Sequence, residues 1–300
     1  MNILSISFGR ILKSILPFLI LALTACKEET VEKEQKIEET IIKEPEVGVL
    51  PEIDSSLAFI EIPDTSLQKF LIKAGIDSDL RVNGRVYLKD VEKIDSLNIN
   101  MISENNNYVR YHTLSGLEQF PNLKKLEMIQ LIDSVDLSQF KKLTHFKFNL
   151  IYNNNQMEFF KTTGADDLKE IIFGTEYTRN QAYYFTISEI KLPEIDLTKN
   201  KKLEKLVLYG MKNLKNLDLK QNEALKSLSL IVVREMEKLD LTYNTSLEKL
   251  VIIDSDKINT ICLNKNVEIQ GSNQANYLLR GIDLYLESNN SENFSFTHCK

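Results

Sequence analysis

Few side chains in this sequence are spaced for chemistry. The three histidines, His112, His145 and His298, stand far apart, and none falls at a zinc-ligand spacing with a cysteine. The chain holds no G-x-S-x-G elbow, no phosphate-binding glycine loop and no H-E-x-x-H pair. The stretch "DSDLRVNG", Asp77 to Gly84, has the alternating oxygens of a calcium loop. An EF-hand loop that starts at Asp77 needs glycine at its sixth position and glutamate at its twelfth, where this chain has Val82 and Leu88. We therefore read a turn between a capping helix and a strand. Carboxylates are plentiful, but a glycosidase-like pair needs two of them about 5–10 Å apart in a deep cleft. No cofactor and no metal are implied. The formal charge of -6 argues against nucleic acid as a partner.

The chemistry that remains belongs to cysteine. Arg10 and Lys13 make a positive start, and Ile15 to Leu23 is an apolar run too short to span a bilayer comfortably. Residues 1–25 thus read as a secretion signal. It ends in "LTAC", Leu23 to Cys26, which resembles the lipobox of bacterial lipoproteins. That resemblance implies a lipid on the sulfur of Cys26 and cleavage before it, leaving the chain anchored to a membrane. Loss of Arg10 and Lys13 takes the charge from -6 to -8. Residues 27–47 then hold eight glutamates and four lysines, too little apolar surface to order themselves. Such a tether reaches roughly 25 Å. Lys27, Glu28 and Glu29 resemble the export signal of flavobacterial surface lipoproteins, which implies an outer-membrane protein of the cell envelope, exposed at the surface. Two cysteines are left, Cys262 and Cys299, and in an exported chain a disulfide between them is the expectation.

The elements that carry these residues announce themselves by repetition. "IDLTKNKKLEKLVL" (195–208), "LDLKQNEALKSLSL" (217–230) and "LDLTYNTSLEKLVI" (239–252) follow one another at a spacing of 22. Ile195, Leu217, Leu239 and Ile261 share one register, and Asn200, Asn222, Asn244 and Asn266 another. A fixed period of this length with L-x-x-L-x-L is the mark of a leucine-rich repeat. One turn of such a coil cannot bury its leucines alone; stacked turns bury them as ladders. The asparagines suit an internal ladder, since their amides can bond the backbone of a turn. Each unit has two halves of eleven residues, one for a concave strand and one for an extended convex return, with little room for a convex helix. Looser copies stand upstream at Leu123–Met128, Leu143–Phe148 and Leu168–Phe173, and "VDLSQFKKL" puts Phe140 in the asparagine slot. Insertions at "IYNNNQMEFF" and "GTEYTRNQAYYF" should bulge as loops.

The expected fold is thus a leucine-rich-repeat solenoid, α/β-type, mostly parallel β with an irregular convex side, closed by a helical N-terminal cap and a C-terminal cap. Asp64 is placed to cap a helix through Leu67, Phe70, Leu71 and Ala74 that Gly75 stops. The organisation reads as signal 1–25, tether 26–50, N-terminal cap 51–113, array 114–266 and C-terminal cap 267–300. The "IPD" opening, "LSGLEQFPNL", the "LDL..N..L..L.L" units and the closing "ICL" and "FSFTHC" resemble leucine-rich-repeat surface proteins of flavobacteria and their relatives, over roughly residues 58 to 300. The resemblance implies a secreted or surface-held binding or adhesion module. The chain departs from it where turn asparagines give way to Met211, Val233 and Ser255.

Between inward leucines, the intervening residues should face the concavity. Val207, Ser229 and Val251 make one row, and Tyr209, Ile231 and Ile253 the next. This face is apolar, and contiguous exposed apolar area marks interaction sites. We expect these six residues to bind a protein or glycan ligand without catalysis. The alternative is a structural scaffold of the envelope with no exchangeable ligand.

Overall fold

A computed structural model of the protein describes residues 56–99, 103–104, 107–108, 110–129, 132, 134–149, 157, 159–174, 190–270, 278–287 and 295–299. The signal, Cys26 and the tether lie outside the described residues, as does most of both insertions. All described residues belong to the unit Pro45–Lys300.

The chain enters through β1 (Phe59–Glu61), α1 (Thr65–Lys73), β2 (Arg85–Tyr87) and the short α2 (Leu88–Val91). The side chain of Asp64 accepts hydrogen bonds from the backbone N–H of Ser66 and Leu67, which satisfies the open first turn of α1. Its other oxygen accepts from the N–H of His112 and Thr113, at 2.5 and 3.1 Å, so one carboxylate ties the helix to the start of the array. Leu67, Phe70 and Leu71 face the core, and Gly75 ends the helix at φ 70°, a left-handed conformation open to glycine.

Strands then alternate between two sides of a coil. They run β3 (Ser96–Ile99), β4 (Ser103–Glu104), β5 (Asn107–Tyr108), β6 (Lys125–Ile129), β7 (Ser134–Asp136), β8 (His145–Asn149), β9 (Phe159–Lys161), β10 (Glu170–Phe173), β11 (Lys205–Tyr209) and β12 (Ser227–Ile231). They continue as β13 (Lys238–Leu241), β14 (Lys249–Ile253), β15 (Thr260–Leu263), β16 (Ile269–Gln270), β17 (Leu278–Leu279), β18 (Asp283–Glu287) and β19 (Ser295–His298). Eight of them form one sheet in the order β18-β14-β12-β11-β10-β8-β6-β3. Every neighbouring pair in it is parallel. The convex return is also extended, with β13, β15 and β19 parallel, and β7 parallel to β9. Coils that stack L-x-x-L-x-L strands in register make this a leucine-rich-repeat fold, mostly parallel β with few helices. The large sheet takes β3 and β18 from stretches that the sequence assigned to the caps, and the convex sheet takes β19. The second half of "IYNNNQMEFF" does not end as loop: Phe159 and Phe160 open β9.

The interior is two ladders. Leu206, Leu228 and Leu250 stand opposite one another, as do Leu208, Leu230 and Ile252, all buried. In the irregular middle, phenylalanines take over: Phe160 meets Phe173 edge-on at 4.8 Å, and Phe146 lies 5.5 Å from Phe160. The asparagine column becomes a hydrogen-bonded ladder. Asn222 Nδ2 donates to the carbonyls of Leu197 and Asn200, and Asn244 Nδ2 to those of Leu219 and Asn222. These are carbonyls that a buried turn would otherwise leave unpaired. The column ends there, for Asn266 is exposed, and Asn264 bonds the Thr242 carbonyl instead.

A second column stands one turn away. Asp136, Asp196, Asp218 and Asp240 each accept the N–H of the residue two further on. In the coil after Asp240, Cys262 occupies this column, beside Asp240 in the ladder, and forms a disulfide with Cys299. The acid that would have shaped one more turn is replaced by a bond that fastens β15 to the end of the chain.

Candidate functional site

The outward face of the eight-stranded sheet is where the expected ligand residues stand. The register of the strands is the one that the repeat predicts. Val207, Ser229 and Val251 are opposite one another, and so are Tyr209, Ile231 and Ile253. The structure thus brings all six together on one face. It does not leave them in water. Tyr209 is 7% exposed, Ser229 5%, and Val207, Ile231, Val251 and Ile253 each 1%. The expectation of an exposed apolar face is corrected here. Tyr209, Ile231, Val251 and Ile253 join Val232 in an apolar cluster separate from the main interior, and Tyr285 of β18 packs on its flank. Branched side chains on parallel strands about 5 Å apart cover one another's sides.

Three local features hold this cluster. Gly174 lies under Tyr209: a methyl group at Gly174 would stand 2.6 Å from the Tyr209 Cβ, and the residue has φ 83°. Only glycine meets both demands. At the ends of successive strands Gly210, Val232 and Asp254 all take left-handed φ, of 72°, 58° and 47°. Val232 does so although a β-branched residue disfavours it. Its N–H bonds the Ile253 carbonyl and its side chain is buried in the cluster, which offsets the strain. Burial, and the charge of Asp254, push the Tyr209 hydroxyl above its ordinary pKa.

The accessible part of the same face lies toward β3 and is polar. Here the strands alternate, with Glu127, Ile129, Lys147 and Asn149 half-exposed. Glu127 accepts from Lys147 Nζ and from Asn149 Nδ2, both at 2.8 Å. The first residues of the strands continue outward as Lys125, His145, Glu170 and Lys205, with His145 Nε2 4.0 Å from Glu170. The sequence reading chose the apolar end of the face and passed over these positions.

Away from the sheet, two adjoining cavities of about 250 and 350 Å³ share Glu118, Gln139 and Phe140. The larger also has His112, Asp136 and Lys161 on its wall. Burial alone would raise the Asp136 pKa, but hydrogen bonds from Ser138 and the charge of Lys161 outweigh it and hold Asp136 below the usual range. A carboxylate kept ionised in this way is unsuited to donate the proton that glycoside cleavage requires. Among the described residues no group of three or more histidine, cysteine or acidic side chains is placed to hold a metal ion. Cys262 and Cys299 are paired as the sequence suggests, with Cα atoms 5.2 Å apart. Cys26 lies outside the described residues.

No protein-family model matches this chain, and no curated protein does. Solved structures similar to it include an internalin, InlF, of Listeria monocytogenes, at 17% identity and a TM-score of 0.40 over 68% of this chain. The functional domain of InlJ from the same organism, described as including a cysteine ladder, is similar at 17% identity and a TM-score of 0.35 over 69% of the chain. The chain spans 64% and 52% of these two, less than two thirds of their length.

Proposed function

We propose that this protein is an envelope lipoprotein, anchored by lipid on Cys26 in the outer membrane and facing outward, that binds a protein or glycan ligand through the outward face of its large sheet without catalysis. The observation that carries the reading is the sheet itself. Eight parallel strands in register set rows of side chains side by side, and toward β3 those rows are polar and reachable: Glu127, Lys147 and Asn149. The six residues of the apolar rows, Val207, Tyr209, Ser229, Ile231, Val251 and Ile253, then serve as the rigid floor beside the contact. The test is capture by the immobilised mature chain from a panel of extracellular proteins and glycans. Variants Glu127→Lys and Lys147→Glu should each weaken a captured ligand by at least about tenfold, as for interface residues worth 1.4 kcal/mol or more. Capture that is indifferent to both substitutions overturns the placement.

A second reading is favoured by the burial of Ile231, Val251 and Ile253 to 1%. An apolar row already covered is not a docking surface, which suits a structural scaffold with no exchangeable ligand. In that reading the panel captures nothing, and loss of the protein alters the envelope instead.

A further inference from the structure

We propose that the N-terminal cap contains a pH-responsive latch, in which a proton held on Asp77, beside Asp79, keeps the segment from Ile76 to Asn83 against α1 and its loss frees that segment. Both side chains are buried, Asp77 completely. Asp77 accepts from Gln68 Nε2 at 3.2 Å and from the Asp79 N–H at 3.3 Å. Asp79 accepts from the Arg81 N–H and from Asn83 Nδ2, both at 2.8 Å.

These donors are too few for two carboxylates. Gln68 Nε2 has two hydrogens but four acceptors around it: Asp77, Asn83 Oδ1, and the carbonyls of Arg81 and Arg85. The cations on the segment and on β2 and α2 face other groups. Arg81 turns its guanidinium to the carbonyl of Asp79, Arg85 lies over the Phe59 ring, and Lys89 over the Tyr87 ring. From α1 the facing group is the neutral amide of Gln68. From α2 comes another acid, Asp90, which accepts from the N–H and hydroxyl of Ser78. A proton on Asp77 removes one of the two charges and adds a donor. Burial first, then the charge of Asp79, raises Asp77 to about 6, against the pull of Gln68 and the Asp79 N–H.

The segment is built to move once released. Gly75 and Gly84 bracket it with φ of 70° and 82°, and nothing lies within 4 Å of where either side chain would begin. At its tip Leu80, at φ 57°, and Val82 are exposed, so the root does most of the holding.

The sign of the effect follows from the direction of the shift. Asp77 has the higher pKa when latched, so the stabilisation is complete below about pH 4 and is lost as pH rises through about 6. Opening should become roughly tenfold easier between pH 5 and pH 7.5 by that linkage. The test is amide hydrogen exchange on the mature chain at those two pH values, read as protection factors. Wild type should lose about tenfold protection over residues 76–84 at the higher pH while β11, β12 and β14 keep theirs, and Asp77→Asn should show no pH dependence in that segment. Equal protection at both pH values in wild type overturns the latch, as does an unchanged pH dependence in Asp77→Asn. If the variant fails to fold, the wild-type profile still decides: a loss spread over the whole sheet, or none in 76–84, refutes it.

Discussion

Asn222 works through one end of its amide. Nδ2 meets two buried carbonyls, while Oδ1 has no partner among the described residues. Asn222→Ala removes two hydrogen bonds and strands two carbonyls, a loss of about 1–3 kcal/mol. Asn222→Asp keeps the shape yet sets an acceptor against acceptors, so it should be the worse of the two; urea melts give the order. Ile231 poses the converse problem. Were it exposed, Ile231→Asp would be harmless. At 1% exposure within an apolar cluster, the same change should cost about 3 kcal/mol or more, because a carboxylate there finds no donor. A melting midpoint equal to wild type would return Ile231 to the surface and reopen the apolar row as a contact. Gly174→Ala tests the seat of Tyr209 in the same assay. A methyl group 2.6 Å from the ring's stem at φ 83° should destabilise by about 2 kcal/mol.

At the scale of the strand, the sequence disclosed the register of the repeats it recognised, though not of β3, β18 or β19, and the environment only in part. A spacing of 22 suffices to align Leu206, Leu228 and Leu250, because stacked coils must repeat their inward positions to bury them. The alternation of concave and convex strands was legible for the same reason. Exposure was misjudged because alternation was taken to mean one wet face. The signal that separates the two cases is present in the strands. β6 and β8, "KLEMI" and "HFKFN", alternate apolar with polar and are half-exposed on alternate residues. β11 and β14, "KLVLY" and "KLVII", are continuous apolar runs, and each is buried over its last four residues. Continuous runs are what parallel strands covered on both faces look like. Leu228→Ala and Ser229→Ala measure the difference between the faces. The first empties a site in the main core and should cost about 2–5 kcal/mol, while the second removes one hydroxyl and should cost about 1 or less. The disulfide belongs to this scale as well. It closes a separation of 37 residues, for which chain entropy gives about 4 kcal/mol, and it fastens β19 to the edge of β15. The pairing was legible because a chain read as exported had two cysteines left over. That Cys262 falls in the column of Asp196, Asp218 and Asp240 follows from the same spacing of 22, but that those aspartates bond the turns does not, since only the fold shows it.

For the whole molecule, the reading rests on a division between an acidic tether and a folded array. Residues 27–47 carry a net charge of -4 from eight glutamates and four lysines, a composition that an anionic membrane would repel if Cys26 is anchored as proposed. The proposed binding needs the sheet face to be reachable from outside the cell. The anchor is therefore the premise on which the binding proposal depends, and it is separable from the fold. Cys26→Ser removes the sulfur that would carry lipid and leaves Cys262 and Cys299 to form their bond. The variant should incorporate no labelled palmitate, leave the membrane fraction, and melt like the parent once purified. If the proposal holds, protease applied to intact cells should remove the parent array by cutting on its N-terminal side. Undiminished label in the variant would sink the anchor, and an array that resists protease on intact cells but not on lysed ones would turn it inward, to the periplasm.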